Sequence, residues 1–184
     1  MALATRDPSD ERPVLKMAED EACFGRISIP RRAWAPPGMR PHAPRQVVRE
    51  YTYAYTAVAP AEGKMTSLIL PSADTEMMGL FLSHVSTTFA KYFIVMQVDQ
   101  ASWHVTKELT IPDNIRLIAQ PAYSPELNPV EHVWEELREK QLSNLALPSL
   151  EDVIAKVCEG LNQLEDDPER LRSLTYFPHF RMIS

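Results

Sequence analysis

Glu131, Asp99 and the run Glu19, Asp20, Glu21 are the residues of this chain best suited to do chemistry. Carboxylates far apart in sequence but gathered by a fold can share a divalent metal ion. Hard cations prefer oxygen ligands, and a few acids suffice to hold them. Each group also has a purely structural use. Glutamate in the first turn of a helix can close a capping box and complement the helix dipole. Asp99 can open a turn, and three adjacent acids commonly mark a solvated one. The pairing of Glu131 with a second acid 32 residues upstream favours the metal reading.

Three elements must position these acids. Pro121, Pro125 and Pro129 stiffen the loop ahead of Glu131, since each fixes φ near -65° and pushes the residue before it toward extended geometry. Asn128 suits the N-cap, Pro129 the first helical position, and Glu131 then falls at the third. Val130, Val133, Trp134 and Leu137 follow at helical spacing as a core-facing stripe, with Glu131 at its border. Asp99 ends the apolar run Tyr92–Val98, which reads as a strand buried on both faces. The carboxyl end of such a strand is where open α/β sheets place ligands. Ile115–Ala119 reads as a neighbouring strand, which would bring Asp99 and Glu131 to one sheet edge. The stretch from Val14 is strand-like to about Ala18, just before the three acids. A strand aims only alternate side chains at one face, and spacing alone does not say which acid joins the others.

With these residues in view, the chain resembles the catalytic domain of mariner-like bacterial insertion-sequence transposases, the DDE transposases. The resemblance rests on Asp20-Glu21 after a strand, on Asp99-Gln-Ala-Ser-Trp-His104, and on the block from Tyr123 to Trp134. It covers roughly residues 14–140 and implies a ribonuclease-H-like α/β fold, a mixed five-stranded sheet flanked by helices. Carried over by position, it implies Asp20, Asp99 and Glu131 as a catalytic and metal-binding triad, Asp20 being selected because the family's first Asp precedes a Glu. The implied cofactor is Mg²⁺, two ions, with Mn²⁺ able to substitute; such a pair about 3.5–4 Å apart clamps the attacking and leaving oxygens of an in-line displacement. Glu21, His104 and Asn128 are expected near the site, His104 beside the metal ligands and Asn128 shaping the loop. Arg32–Gly38 and Tyr51–Val58 look like the family's second and third strands, with Arg40–Arg49 as the loop between them.

The remaining order of elements agrees with that fold. Asp74 can cap a helix running to about Ala90, with Met78, Phe81, Leu82, Val85 and Phe89 facing the core. Ser149 can cap a last helix with Asp152 closing the box, its core face formed by Leu150, Val153, Ile154, Val157, Leu161 and Leu164. The expected organisation is a flexible segment over 1–13, the catalytic domain over 14–165, and a partly ordered tail over 166–184 in which Leu171, Leu174, Tyr176 and Phe177 can dock. The resemblance also implies helix-turn-helix modules ahead of the catalytic domain. The first strand starts too early to leave room for them, so the expectation is a catalytic half working with a separate helix-turn-helix polypeptide.

Composition sets the remaining bounds. A chain of 184 residues that is 45% hydrophobic suits one domain with a proper core. No apolar run approaches the ~20 residues of a membrane span, and the amino terminus does not read as a secretory signal. Cys23 and Cys158 lack disulfide-framework or metal spacing and are expected to be buried thiols in a reducing cytoplasm. The net charge of -6 has the wrong sign for gripping DNA, but its distribution is uneven. Residues 26–64 carry +5 and residues 131–170 carry -7. Arg31, Arg32, Arg40 and Arg45 are therefore candidates for backbone phosphates. The expected partners are DNA, as element ends and target, and a second copy of the chain, at the bacterial nucleoid. Three functions compete: a transposase catalytic domain cleaving DNA ends and transferring strands, a stand-alone metal-dependent endonuclease, and a non-catalytic remnant.

Overall fold

A computed structural model describes residues 6–177. Five strands form one mixed sheet in the order β3-β2-β1-β4-β5. They are β1 (Val14–Ile27), β2 (Val47–Ala59), β3 (Lys64–Leu70), β4 (Phe93–Val98) and β5 (Ile115–Ala119). The first three pair antiparallel, whereas β4 and β5 join β1 in parallel. Every residue of β4 is buried, as its unbroken apolar run requires.

The amino-terminal half differs from the sequence reading. The acids Glu19, Asp20 and Glu21 do not form a turn after Ala18; they lie inside β1, opposite Ala57, Thr56 and Tyr55 of β2. Pairing with that β-branched and aromatic partner outweighs the poor strand preference of the acids. Arg32–Gly38 is loop rather than a second strand. Pro30, Pro36 and Pro37 withhold ladder donors there, and Gly38 turns the chain at φ +84°. The Pro- and Arg-rich loop accordingly joins β1 to β2, and Val47–Arg49 belongs to β2. A strand absent from the sequence reading, β3, completes the hairpin through Gly63 at φ +61°.

The helices α1 (Thr75–Thr88), α2 (Ser102–Val105), α3 (Val130–Lys140), α4 (Leu150–Glu165) and α5 (Pro168–Thr175) cover the two faces. Asp74 caps α1 by accepting from the Met77 amide, and Ser149 with Asp152 forms the capping box of α4. One core gathers Leu15, Met17, Tyr55 and Ile94 against Phe81 and Leu82 of α1. The other gathers Ala18, Ala22 and Phe24 against Trp134 of α3 and Val157 of α4. Odd-numbered residues of β1 thus face α1, and even-numbered ones face α3 and α4.

The segment from Asp166 folds onto this second layer. Leu171 of α5 is fully buried, Leu174 packs beside it, and Arg172 donates to the Ala61 and Glu62 carbonyls in the β2–β3 turn. Residues 6–13 are held by Asp10, whose carboxylate pairs with Arg12 at 2.7 Å. Cys158 is half-buried, but Cys23 is exposed, contrary to the expectation of two buried thiols. Among the described residues no helix is long and apolar enough to cross a membrane.

Candidate active site

Asp20, Asp99 and Glu131 line one open cleft of about 470 Å³, together with the loop residues Gln120–Pro125 and Asn128. Sheet register explains how two of them meet. Ala18 of β1 pairs with Gln97 of β4, so Asp20 and Asp99, each two residues further on, lie level along the sheet. Glu131 arrives from the first turn of α3, which packs on the same face as Asp20. Glu19 and Glu21 point to the opposite face. The alternation left open by the sequence is therefore resolved in favour of Asp20 as the member of the run nearest Glu131.

The loop carrying Glu131 is pinned at several points. Asn128 is buried, and its Nδ2 donates to the Glu19 carbonyl at 3.1 Å while its Oδ1 accepts from the Val130 amide at 3.1 Å. It braces the start of α3, whose N-cap position falls to Pro129 rather than to the expected Asn128, and it also ties the loop to β1 beside Asp20. The helix starts at Val130, so Glu131 is its second residue rather than the third. Buried Gln97 reaches from β4 to Gln120 Oε1 at 2.9 Å and to the Leu127 carbonyl at 3.1 Å, and Gln100 donates to the Gln120 carbonyl at 2.8 Å. Pro125–Leu127 forms a single 3₁₀ turn within the loop. Tyr123, at φ 57°, is fully exposed at the rim.

Each cleft acid has a defined support. Asp20 Oδ2 accepts from the Trp134 indole N–H at 2.9 Å. Burial pushes the Asp20 carboxyl up to about 7, the Trp134 bond opposes this, and the charges of Glu131, Glu21 and Asp99 add to the rise. Asp99 Oδ1 accepts from the Ala101 amide at 2.8 Å and contacts His104 Nδ1 at 2.6 Å, which leaves Oδ2 outside both contacts. His104 is buried and reaches Glu21 Oε1 with Nε2 at 3.0 Å. Burial lowers its pKa, but the Glu21 and Asp99 carboxylates outweigh that and raise it. Glu21 Oε1 also accepts from Trp103 Nε1 at 3.0 Å.

His104 and Glu21 thus stand behind Asp99 rather than in the cleft. His132 points away, against Phe177 at a ring separation of 4.8 Å. Arg31 is tied to α3 through Glu139 at 3.0 Å, whereas Arg32, Arg40 and Arg45 are exposed on the β1–β2 loop. Sequence reasoning missed the indole donors Trp134, which read only as core, and Trp103, which stood only within the Asp99–His104 motif. It also missed the complete burial of Glu19. A strand running through Glu21 would have signalled that burial, because Glu19 then shares the parity of Leu15 and Met17.

The mixed five-stranded sheet, in the order β3-β2-β1-β4-β5 with helices on its faces, is the expected ribonuclease-H-like fold. The chain belongs to the DDE superfamily endonuclease family, whose model matches residues 17–154. It is 40% identical over 125 residues to the uncharacterized protein y4pE/y4sA of Sinorhizobium fredii (strain NBRC 101917 / NGR234), covering 67% of this chain and 93% of that protein. Its fold is similar to the Mos1 strand transfer complex, with a TM-score of 0.57, 15% identity, and coverage of 88% of this chain and 55% of that one. The Mos1 mariner paired-end complex with Mn gives a TM-score of 0.57 at 14% identity, covering 88% and 56%. At such identities the likeness is one of fold. The chain spans about half the length of those transposase chains.

Proposed function

We propose that this chain is the catalytic domain of a transposase that cleaves DNA at the ends of an insertion sequence and transfers the freed strand to target DNA. The observation that carries the reading is the convergence of Asp20, Asp99 and Glu131 on one cleft from three separate elements. Their donor set fits a hard divalent cation: it is oxygen-only, and a cation would offset the burial and, after it, the neighbouring acids that raise Asp20. Asp20, Asp99 and Glu131 would hold Mg²⁺, as two ions, or Mn²⁺ in its place. When bound, the metal supplies charge at the attacking and leaving oxygens and a lowered pKa for bound water.

The rest of the site positions these ligands. Trp134 favours the ionised form of Asp20, His104 and Ala101 fix one oxygen of Asp99, and Asn128 sets the approach of Glu131. The exposed Arg32, Arg40 and Arg45, with Arg31 at the base of their loop, would contact phosphates of the DNA backbone. Recognition of specific DNA ends falls to a helix-turn-helix polypeptide outside this domain, with a second copy of the chain as a further partner, at the bacterial nucleoid. In support, α1, α3, α4 and α5 are all spent on covering the sheet and one another.

The test is nicking of supercoiled plasmid with Mg²⁺ or Mn²⁺, followed by joining of a pre-cleaved end to target DNA. Wild type is expected to do both, and Asp99→Asn, Asp20→Asn and Glu131→Gln to lose at least about 10²-fold of each, as loss of metal support commonly does. Nicking that survives all three substitutions would refute the assignment. Nicking without joining would favour a stand-alone endonuclease, the narrower activity that the family's description carries. No metal-dependent activity in any assembly would leave the remnant reading.

A further inference from the structure

Behind Asp99, on the sheet face opposite Asp20, lies a second cluster that the cleft does not use. Glu19, Glu21 and His104 each offer one ligand atom, and these atoms all lie within 4.8 Å of one another. His104 Nε2 is 3.0 Å from Glu21 Oε1 and 3.7 Å from Glu19 Oε2. One further fact separates this group from an ordinary acidic cluster. Glu19 is fully buried, and neither of its carboxylate oxygens has a hydrogen-bond partner. In its ionised form a carboxylate buried in that way costs several kcal/mol unless a cation or donor meets it. The His104 imidazole stands beside it, with Nε2 3.7 Å from Oε2, while Glu21, Asp20 and Asp99 add like charge around it.

We propose that Glu19, Glu21 and His104 form a second divalent-cation site, distinct from the cleft, with Zn²⁺ as the ion its donors favour. The two sites differ in chemistry. Asp20, Asp99 and Glu131 present oxygen alone, which suits Mg²⁺ or Mn²⁺, whereas an imidazole beside two carboxylates suits Zn²⁺. The surroundings match a metal-bound histidine. His104 Nδ1 meets Asp99 Oδ1 at 2.6 Å, the carboxylate–histidine–metal arrangement that fixes the tautomer and leaves Nε2 to the ion. Trp103 Nε1 orients Glu21 by its 3.0 Å bond to Oε1. A fourth position would fall to water or to the second oxygen of Glu19. Through His104 the ion would act as a positioning element for Asp99, holding Oδ1 back so that Oδ2 faces the cleft.

The proposal stands on the geometry of β1 and α2 and does not depend on the cleft being catalytic. The decisive experiment uses the full chain carrying Asp20→Asn and Glu131→Gln, which disables the cleft, with Mg²⁺ in excess. Zn²⁺ is titrated and read by equilibrium dialysis and by the imidazole ¹⁵N resonances, His104 being identified by its absence in His104→Gln. One equivalent of Zn²⁺ is expected, with a shift of the His104 Nε2 resonance. Adding Glu19→Gln or Glu21→Gln should weaken binding by about 10–100-fold. Absence of a bound equivalent, or binding unchanged by both glutamine substitutions, would overturn the site. If a glutamine variant fails to fold, the His104 shift in the cleft-disabled protein decides alone: no shift on adding Zn²⁺ refutes the proposal. Failure of the cleft reading would appear separately, as nicking that persists in Asp20→Asn.

Discussion

Asp20 is held between two opposing influences, and that balance can be tested at the level of single residues. Burial and the neighbouring acids raise its carboxyl to about 7, while the Trp134 N–H pulls it down. Trp134→Phe removes the opposing bond, so the pKa should climb further. The acid limb of the pH–rate profile for nicking is then expected to move to higher pH, with lost activity at pH 7 partly regained in more alkaline buffer. An unmoved limb would mean that Asp20 does not limit the rate. Asn128 offers a different test, because its two buried bonds serve the loop and β1 together. Asn128→Ala strands the Glu19 carbonyl and the Val130 amide and should cost about 1–3 kcal/mol of stability in denaturant titration. It should also lower nicking by about 10–100-fold, because Glu131 loses its guide.

Between elements, α3 and α4 approach closely at Gly160. A Cβ added at Gly160 would sit 2.4 Å from Leu137 Cδ2 and 2.6 Å from Gln141 Cγ. Gly160→Ala is therefore expected to lower stability by about 1–3 kcal/mol in denaturant titration, since overpacking forces side chains off their rotamers. This close approach was not legible in the sequence, where Gly160 is one glycine within an amphipathic run. Elements governed by their own residues were legible: α1 with its Asp74 cap, β5 at Ile115–Ala119, and α4 with its Ser149–Asp152 box. Elements defined by a distant partner were not. The second half of β1 and all of β3 exist because β2 lies between them, and no local pattern reports that. The same limit applied to the site: the acids could be named, but the faces of Glu19, Asp20 and Glu21 required the β1–β2 register.

At the scale of the whole molecule, charge governs both stability and DNA binding. Asp20 has a folded-state pKa of about 7 against an ordinary value of 3.8. The folded protein thus binds more protons than the unfolded chain between those limits. Its contribution to stability is present below about pH 4 and lost as pH rises toward 7, a swing on the order of 4 kcal/mol. Buried Glu19, whose carboxyl is also raised well above its usual range by burial and by Glu21, Asp20 and Asp99, acts in the same direction. In chelator, the melting temperature should fall between pH 5 and pH 8, and Asp20→Asn should flatten that fall. For DNA, the net charge of -6 leaves the β1–β2 loop to supply attraction. Replacing Arg32, Arg40 and Arg45 with Gln should reduce the slope of log affinity against log salt by about one for each phosphate contact removed. An unchanged slope would place the DNA elsewhere.

The alternation along β1 has an evolutionary corollary. Because Asp20 faces one layer while Glu19 and Glu21 face the other, the strand carries a parity as well as a sequence. Losing or gaining one residue between Val14 and Ala18 would change the parity of the acids relative to the core residues before them, so that either the two sets of acids exchange faces or core residues such as Leu15 leave theirs. No single later substitution restores that pattern. The segment is consequently fixed in length as well as in its core side chains, whereas the exposed loop between β1 and β2 is freer in both.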